Sequence, residues 1–468
     1  EELIFTTDRN KLLIMNRDGR SNWGTNRLEA AAIPENLTII TPPAIFDLSG
    51  GGKGIAIVTS EGTAFGFSVN NVDNRLDSLF QFQCPADVTT HPIAEGEPAS
   101  VFWGCSNGIV YEVSFNGGTA ALSEAASISE PIQSLHFTSE NSQVIVSQSG
   151  VVYRDGNQVD QIEGNFFTPT GSEAVAVSED GRFRGLSGNS FDSPEDGLHQ
   201  FDSPAIAIKL FSPNTIGTQD FYIANGNNHL QLFNYNFTLA DNFPIPLYRP
   251  EQLTNLSISP LVGSFPANGN EDITGIISVD PAGMILGVDL SGNALPDFPL
   301  AIGDSIKTSP ALLDIDGDND LELACVTVSG TVYVWDFAST IDGNNRPQWA
   351  QVYGTPQNNN RPLAAGTFPS ETTQNLLPPE AVYNWPNPNT DNFTFIRYRL
   401  TEAADVSVKI FDLAGDLVKE LTGSGNPQTD NEIRWDLTNI QTGVYFGRVE
   451  AVGGSKKDVQ VIKIAVVK

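Results

Sequence analysis

Residues 308–337 read TSPALLDIDGDNDLELACVTVSGTVYVWDF. A proline-marked entry and a short apolar strand lead into an acidic turn, and two further apolar strands then fold back about a tight turn. The apolar runs are strand-length and nearly continuous, as expected of strands covered on both faces. The same order recurs through the first three-quarters of the chain. Its hairpins are LIFTTDRNKLLIMN (3–16), GIAIVTSEGTAFGFSV (54–69), SVFWGCSNGIVYEVSF (100–115), QVIVSQSGVVYRDG (143–156), EAVAVSEDGRFRGLS (173–187), DFYIANGNNHLQLF (220–233), GIISVDPAGMILGVDL (275–290) and LELACVTVSGTVYVWDF (321–337). Each turn carries Gly, Asn or Asp, the residues that tolerate positive φ.

Seven of the eight hairpins follow an entry strand, with prolines at 43, 92, 131, 169, 204, 260 and 310. The spacing is about 40 residues, the range of propeller blades. These features predict an all-β chain: a β-propeller of seven or eight blades over residues 1–345, then a linker over 346–379, then a small Ig-like β-sandwich over 380–468. A pair of β-sandwiches would also supply many short strands, but it leaves eight hairpins of one style unexplained. The first unit lacks its entry strand. Either the end of the repeat region completes it, or the missing part lies before Glu1.

Composition narrows the function classes. Charged residues are 17%, Gly 42 and Pro 29, consistent with many turns. A formal net charge of −31 opposes nucleic-acid partners, whose phosphates require Lys and Arg. It suits a chain soluble in a salty or calcium-bearing exterior. No run of about eighteen apolar residues encodes a transmembrane helix. Cys84, Cys105 and Cys325 make no disulfide framework or zinc spacing, although Cys84 and Cys105 are candidates to pair. The four histidines are scattered, and no GxSxG, P-loop or dinucleotide fingerprint stands in a strand–helix context.

After the Asn-, Pro- and Thr-rich stretch 349–379 come strand-like segments that include ADVSVKIFDL, NEIRWDL and GVYFGRVEA, the pattern of an Ig-like sandwich. This module resembles the C-terminal sorting domains of cargo exported by the type IX secretion system. It is also similar to the Ig-like domain of flagellar hook-capping proteins. The residues that carry the resemblance are WPNP (385–388), VSVKIFDLAGDLVKEL (406–421), NIQTGVYFGRVEA (439–451) and the final KDVQVIKIAVVK. IRWD (433–436) leans towards the hook-capping variant. The resemblance implies contact between residues 380–468 and the secretion machinery, and a secreted or outer-cell-surface location in a Bacteroidetes-like bacterium.

DIDGDNDLE (314–322) supplies oxygens at alternate positions of a nine-residue loop. On a curling loop they can converge on a hard cation, which takes six to eight oxygens. The expected ligands of one structural calcium are the side chains of Asp314, Asp316, Asp318 and Glu322, with the Asp320 carbonyl. Gly317 and Asn319 allow the bend. The stretch resembles the calcium loops of FG-GAP or VCBS-type, integrin-like propeller repeats, with Asn319 in place of the second glycine and Glu322 in place of the final Asp. FDLSGGGKG (46–54) and FPANGNEDIT (265–274), at equivalent places, have lost the carboxylates, so one site is expected.

Trp23, Trp103, Phe166, Phe167, Phe201, Tyr222 and Tyr235 are candidates for a carbohydrate-binding face, though core packing explains most of them equally well. The leading reading is a non-catalytic, secreted propeller for binding, adhesion or assembly, with an extracellular protein or glycan as ligand. The alternatives are the accessory region of a larger exoenzyme, and a lyase or glycosidase acting in the central channel.

Overall fold

The structure is a computed structural model. It describes the whole chain except residues 1–2, 8, 16–28, 50, 71–74, 117, 139–140, 163–166, 170–173, 178–181, 186–189, 192–205, 212–217, 227–228, 235–237, 247–257, 267–271, 281–282, 303, 307, 317, 338–346, 360–364, 368–375, 378–381, 386, 390–391, 428–429 and 455. The described residues contain β-strands and no α-helix.

Among the described residues, eight small sheets, antiparallel but for one added strand, follow one another along the chain as the blades of a β-propeller. Unit 1 has three strands, β1 (Leu3–Thr6), β2 (Lys11–Met15) and β3 (Glu29–Ala32). Unit 2 has β4 (Ile39–Asp47), β5 (Lys53–Thr59), β6 (Thr63–Asn70) and β7 (Arg75–Gln83); unit 3 has β8 (Ile93–Glu95), β9 (Ser100–Gly104), β10 (Ile109–Asn116) and β11 (Thr119–Ser127). Unit 4 comprises β12 (Ile132–Phe137), β13 (Gln143–Ser147), β14 (Val151–Arg154) and β15 (Asn157–Gln161). Unit 5 comprises β16 (Phe167–Pro169), β17 (Ala174–Val177), β18 (Arg182–Gly185) and β19 (Ser190–Phe191). Unit 6 is β20 (Ile206–Phe211), β21 (Thr218–Gly226), β22 (His229–Phe233) and β23 (Ile245–Pro246), and unit 7 is β24 (Leu261–Pro266), β25 (Asp272–Asp280), β26 (Met284–Asp289) and β27 (Leu300–Ala301). Unit 8 again has three strands, β28 (Ala311–Leu313), β29 (Leu321–Val326) and β30 (Val332–Phe337). The entry strand is innermost: β4 lies against β8, β12 against β16 and β24 against β28, while on the outside β3 meets β7 and β7 meets β11.

The turn between the second and third strands is shared across units. Gly62 and Gly108 have φ of 88° and 79°, and a Cβ there would sit 2.6 Å and 2.3 Å from the carbonyl oxygens of Ala86 and Ile128. Only glycine meets both demands. The glycine carbonyl then accepts an N–H from the far end of the outer strand: Cys84 to Gly62, Ile128 to Gly108, Ile162 to Gly150 and Ile302 to Gly283. Between units the core is aliphatic and aromatic, with Phe46, Val101 and Trp103 buried in one cluster and Phe265, Leu312 and Trp349 in another.

The stretch read from sequence as a linker makes specific contacts along its course. Trp349 and Val262 exchange both backbone hydrogen bonds at 3.0 Å, so the segment begins against the inner strand of unit 7. Ala350 O then accepts from Leu312 N in unit 8, Pro356 O from Ile45 N in unit 2 and Gln357 O from Ala94 N in unit 3. Further on, β31 (Ala365–Thr367) pairs in parallel with β20 of unit 6. The segment thus follows the inner strands round the ring. Asn358, fully buried, fixes it: its side-chain amide donates to Pro42 O, Pro43 O and Pro92 O at 3.1, 3.2 and 3.0 Å. Beside it the His91 ring stacks on Tyr353 at 3.5 Å, with Nε2 3.3 Å from Asn358 O. This packing disfavours the imidazolium and holds the His91 pKa down to about 4.

The C-terminal module is a sandwich. One sheet has β32 (Val382–Trp385), β33 (Phe393–Arg399) and β36 (Asp430–Asp436); the other has β35 (Leu417–Gly425), β34 (Ala404–Phe411), β37 (Gly443–Gly453) and β38 (Lys456–Val466). Alternation along β34 buries Val406, Val408 and Ile410 on one face, against Trp435, Tyr398 and Ile464. Leu376 and Leu377, from the stretch read as a linker, complete this core. Arg399 joins module to propeller, donating from Nη1 to Gly292 O at 2.8 Å and from Nη2 to Asn242 O at 2.9 Å. The accepting turn is braced by Asp289, which accepts from Ser291 N, Asn293 N and Asn293 Nδ2; burial raises its carboxyl pKa.

Cys84 and Cys105 are both buried and free, so the candidate pairing is not formed. Burial pushes the Cys325 thiol up to about 12.

Candidate metal centre

The acidic loop connects β28 to β29 in unit 8. Strand pairing fixes its two ends, since Leu313 faces Glu322 across the ladder. Between them the chain curls through Asn319, whose φ of 70° is an αL conformation that asparagine tolerates better than most residues. Short side-chain bonds stabilise the curl: Asp318 N donates to Asp316 Oδ1 at 3.3 Å, and Asp320 N to Asp318 Oδ1 at 3.0 Å.

The curl gathers Asp316, Asp318, Asp320 and Glu322, with one carboxylate oxygen from each within 4.8 Å of the others. Asp314 lies outside this group, and its Oδ2 accepts the Asn319 N–H at 3.3 Å. The placement differs from the expected ligand set in two respects: Asp314 falls outside the cluster, and Asp320 contributes a side-chain oxygen to it. The reason is geometric, because the αL turn at Asn319 redirects the chain immediately before Asp320. Gly317 lies outside the described residues.

Glu322 is only 2% exposed. One of its oxygens accepts the Ile315 N–H, while the other, Oε1, meets no donor among the described residues; nor does Asp320 Oδ1. Burial, and then the neighbouring Asp320, raise the Glu322 carboxyl to about 7. Burial and the adjacent Asp318 raise Asp320 to about 6. Buried carboxylate oxygens crowded by like charge are unfavourable on their own and favourable around a cation. The donors are all hard oxygens, which suits calcium better than a metal that selects nitrogen or sulfur.

Of the seven candidates for an aromatic face, two have described side chains. Trp103 and Tyr222 are buried in the core. Trp23, Phe166, Phe201 and Tyr235 lie outside the described residues, as does the side chain of Phe167. Trp335 is stacked on Tyr333, ring centroids 5.7 Å apart, on unit 8.

At the other end of the chain, Asn387 ties the first strand region of the sandwich to the last. Its Nδ2 donates to Lys463 O and its Oδ1 accepts from Ala465 N, both at 2.9 Å. Asn389 continues the pairing, with Asn389 N to Ala465 O and Val467 N to Asn389 O, each at 2.8 Å. The WPNP segment therefore holds the final strand in place.

Residues 383–463 match the family model described as "Secretion system C-terminal sorting domain". Proteins bearing this domain are exported by the type IX system to the cell surface or the extracellular space. A search of curated proteins returns no match. Among solved structures, the chain is similar to Sqt1 from Saccharomyces cerevisiae, at 12% identity and TM-score 0.43, covering 63% of this chain and 84% of that one. It is similar also to Sqt1 from Chaetomium thermophilum, at 14% identity and TM-score 0.44, covering 63% and 82%.

Proposed function

We propose that this chain, exported through its C-terminal sorting domain, is a non-catalytic binding module of the outer cell surface, serving adhesion or assembly. The observation that carries this reading is the course of residues 349–358. They occupy the inner side of the ring with backbone bonds and an uncharged set, Gln351, Tyr353 and Asn358, around a neutral His91. A channel enzyme would place opposed carboxylates, or a Tyr or His with Arg, there. A ligand, protein or glycan, would instead meet the outer faces of the blades. The test is to apply the purified chain to immobilised extracellular-matrix proteins and glycans while assaying the same polysaccharides for chain cleavage. Saturable binding without cleavage is expected; turnover would overturn the reading.

In the same reading, one calcium ion sits among Asp316, Asp318, Asp320 and Glu322, in a loop of the integrin-like FG-GAP type. It would neutralise crowded carboxylates and fasten β28 to β29; its role is structural. The orphaned oxygens of Glu322 and Asp320 support it. Calorimetric titration of chelator-treated protein with calcium should give one site, abolished in Glu322→Gln.

A further inference from the structure

Three joints between neighbouring units share one backbone pattern. Where β7 ends, Cys84 N donates to Gly62 O, as Ile128 N does to Gly108 O and Ile302 N to Gly283 O. Four residues further on, Val88 bridges to Cys105 in unit 3, Ile132 pairs with Ser147 in unit 4 and Ile306 bridges to Thr327 in unit 8. Cys84 and Cys105 therefore stand where the other two joints place Ile128 with Ser147 and Ile302 with Thr327.

The residues at those two joints have local tasks. Ile128 and Ile302 are buried in the core. Ser147 and Thr327 close their turns: the hydroxyls accept the N–H of Val151 at 3.0 Å and of Thr331 at 3.3 Å. Thr59 accepts from Thr63 N in the same way, at 3.2 Å. In unit 3 the corresponding N–H belongs to Ile109, and the Asn107 side chain accepts it at 3.2 Å. Asn107 thus releases position 105 from the turn, and a hydroxyl is not needed there.

The two departures from the repeat meet each other. A bend at Pro85 and Ala86 returns the chain leaving β7 past unit 3. Cys84 and Cys105, 2% and 0% exposed, lie with Trp103 in the core between units 2 and 3. Their thiols are in hydrogen-bond contact with each other. An isoleucine beside a hydroxyl can form no covalent link, whereas two thiols in contact can. Cys325, the third cysteine, belongs to a different core cluster.

We propose that the structure shows the reduced form of a redox pair, and that Cys84 and Cys105 close into a disulfide that locks unit 2 to unit 3 in the exported protein. The cell exterior favours this state, because no thiol pool holds cysteines reduced there. The oxidant is a disulfide donor of low molecular mass or on a protein. One cysteine thiolate attacks the donor, forming a mixed disulfide and releasing the first donor thiolate. The second cysteine thiolate attacks the mixed disulfide and releases the other. Two electrons pass to the donor, and the two cysteine protons end on its two thiols. Both sulfurs are buried, so the exchange takes place while units 2 and 3 are still closing on each other.

The test unfolds the full chain in urea with dithiothreitol and refolds it in parallel, in a mixture of reduced and oxidised glutathione or in dithiothreitol alone. Thiols are then labelled with N-ethylmaleimide under denaturing conditions. The chain refolded with glutathione should carry one label, at Cys325, and a peptide linking Cys84 to Cys105; the other should carry three labels. Its Tm should exceed that of the reduced chain by a few degrees, because the link closes a short loop. Cys84→Ile with Cys105→Ser restores the pair found between units 3 and 4, and its Tm should be the same in both buffers. Three labels after glutathione refolding would overturn the proposal, as would a link to Cys325. An equal Tm for the linked and reduced chains would show that the bond does not lock the joint.

Discussion

The side-chain amide of Asn358 donates to the carbonyl of Pro92 at 3.0 Å, between residues 266 positions apart in the chain. The same amide reaches Pro42 and Pro43, so one buried side chain joins the inner strands of two units to the segment that crosses them. Removing a partner from buried carbonyls costs about 1–3 kcal/mol. Asn358 has a φ of 58°, so Asn358→Gly keeps the backbone relaxed and deletes only the amide. A destabilisation in that range is expected, read as a lower urea midpoint at unchanged m-value.

His91 makes the same region sensitive to acid. Its pKa near 4 when folded lies below the ordinary 6.5, so the unfolded chain takes up a proton that the folded one refuses. The contribution is complete above pH 6.5 and is lost as pH falls towards 4. The loss amounts to at most about 3 kcal/mol at 1.36 kcal/mol per pH unit. His91→Gln should flatten the stability profile between those two values. An identical slope in the variant would show that other groups set it.

The acidic loop predicts the opposite sign. Glu322 titrates near 7 when folded against 4.5 for an ordinary glutamate. Its contribution is therefore complete below about pH 4.5 and is lost as pH rises through 7. Calcium-free protein should show its Tm falling over this window relative to Glu322→Gln. Calcium should remove the fall in the parent chain and leave Glu322→Gln unchanged.

Arg399 supplies charged hydrogen bonds to two propeller turns. Arg399→Ala should loosen the docking of the sandwich, because hydrogen bonds to charged groups contribute about 1.5–3 kcal/mol. Limited proteolysis should then release a C-terminal fragment several-fold faster, while calorimetry resolves two transitions where the parent shows one. Unchanged proteolysis would mean that Arg399 does not hold the modules together.

The hairpins were legible because turn chemistry is local: Gly62 or Gly108 announces its turn whatever surrounds it. The acidic loop was legible in composition, but the exchange of Asp314 for the Asp320 side chain depends on the αL bend at Asn319. Residues 349–358 were not legible as part of the ring. They carry no alternation, because Trp349, Ala350, Pro356 and Gln357 bond to four different strands, and the Asn358 side chain is buried against inner-strand carbonyls that lie hundreds of residues earlier. The one available signal was Asn358 itself, an asparagine in an Asn-, Pro- and Thr-rich run, which suits positive φ and carries two donors.

The girdle at residues 349–358 also dictates a sequence of events in folding. Each blade can form from neighbouring residues, with low contact order. The bonds from Asn358 to Pro42 and Pro43 instead span 316 and 315 residues. Such contacts are entropically late. The ring therefore gains these particular cross-blade restraints only when the chain just ahead of the sorting domain arrives, so completion of the propeller and presentation of the export signal share a final step.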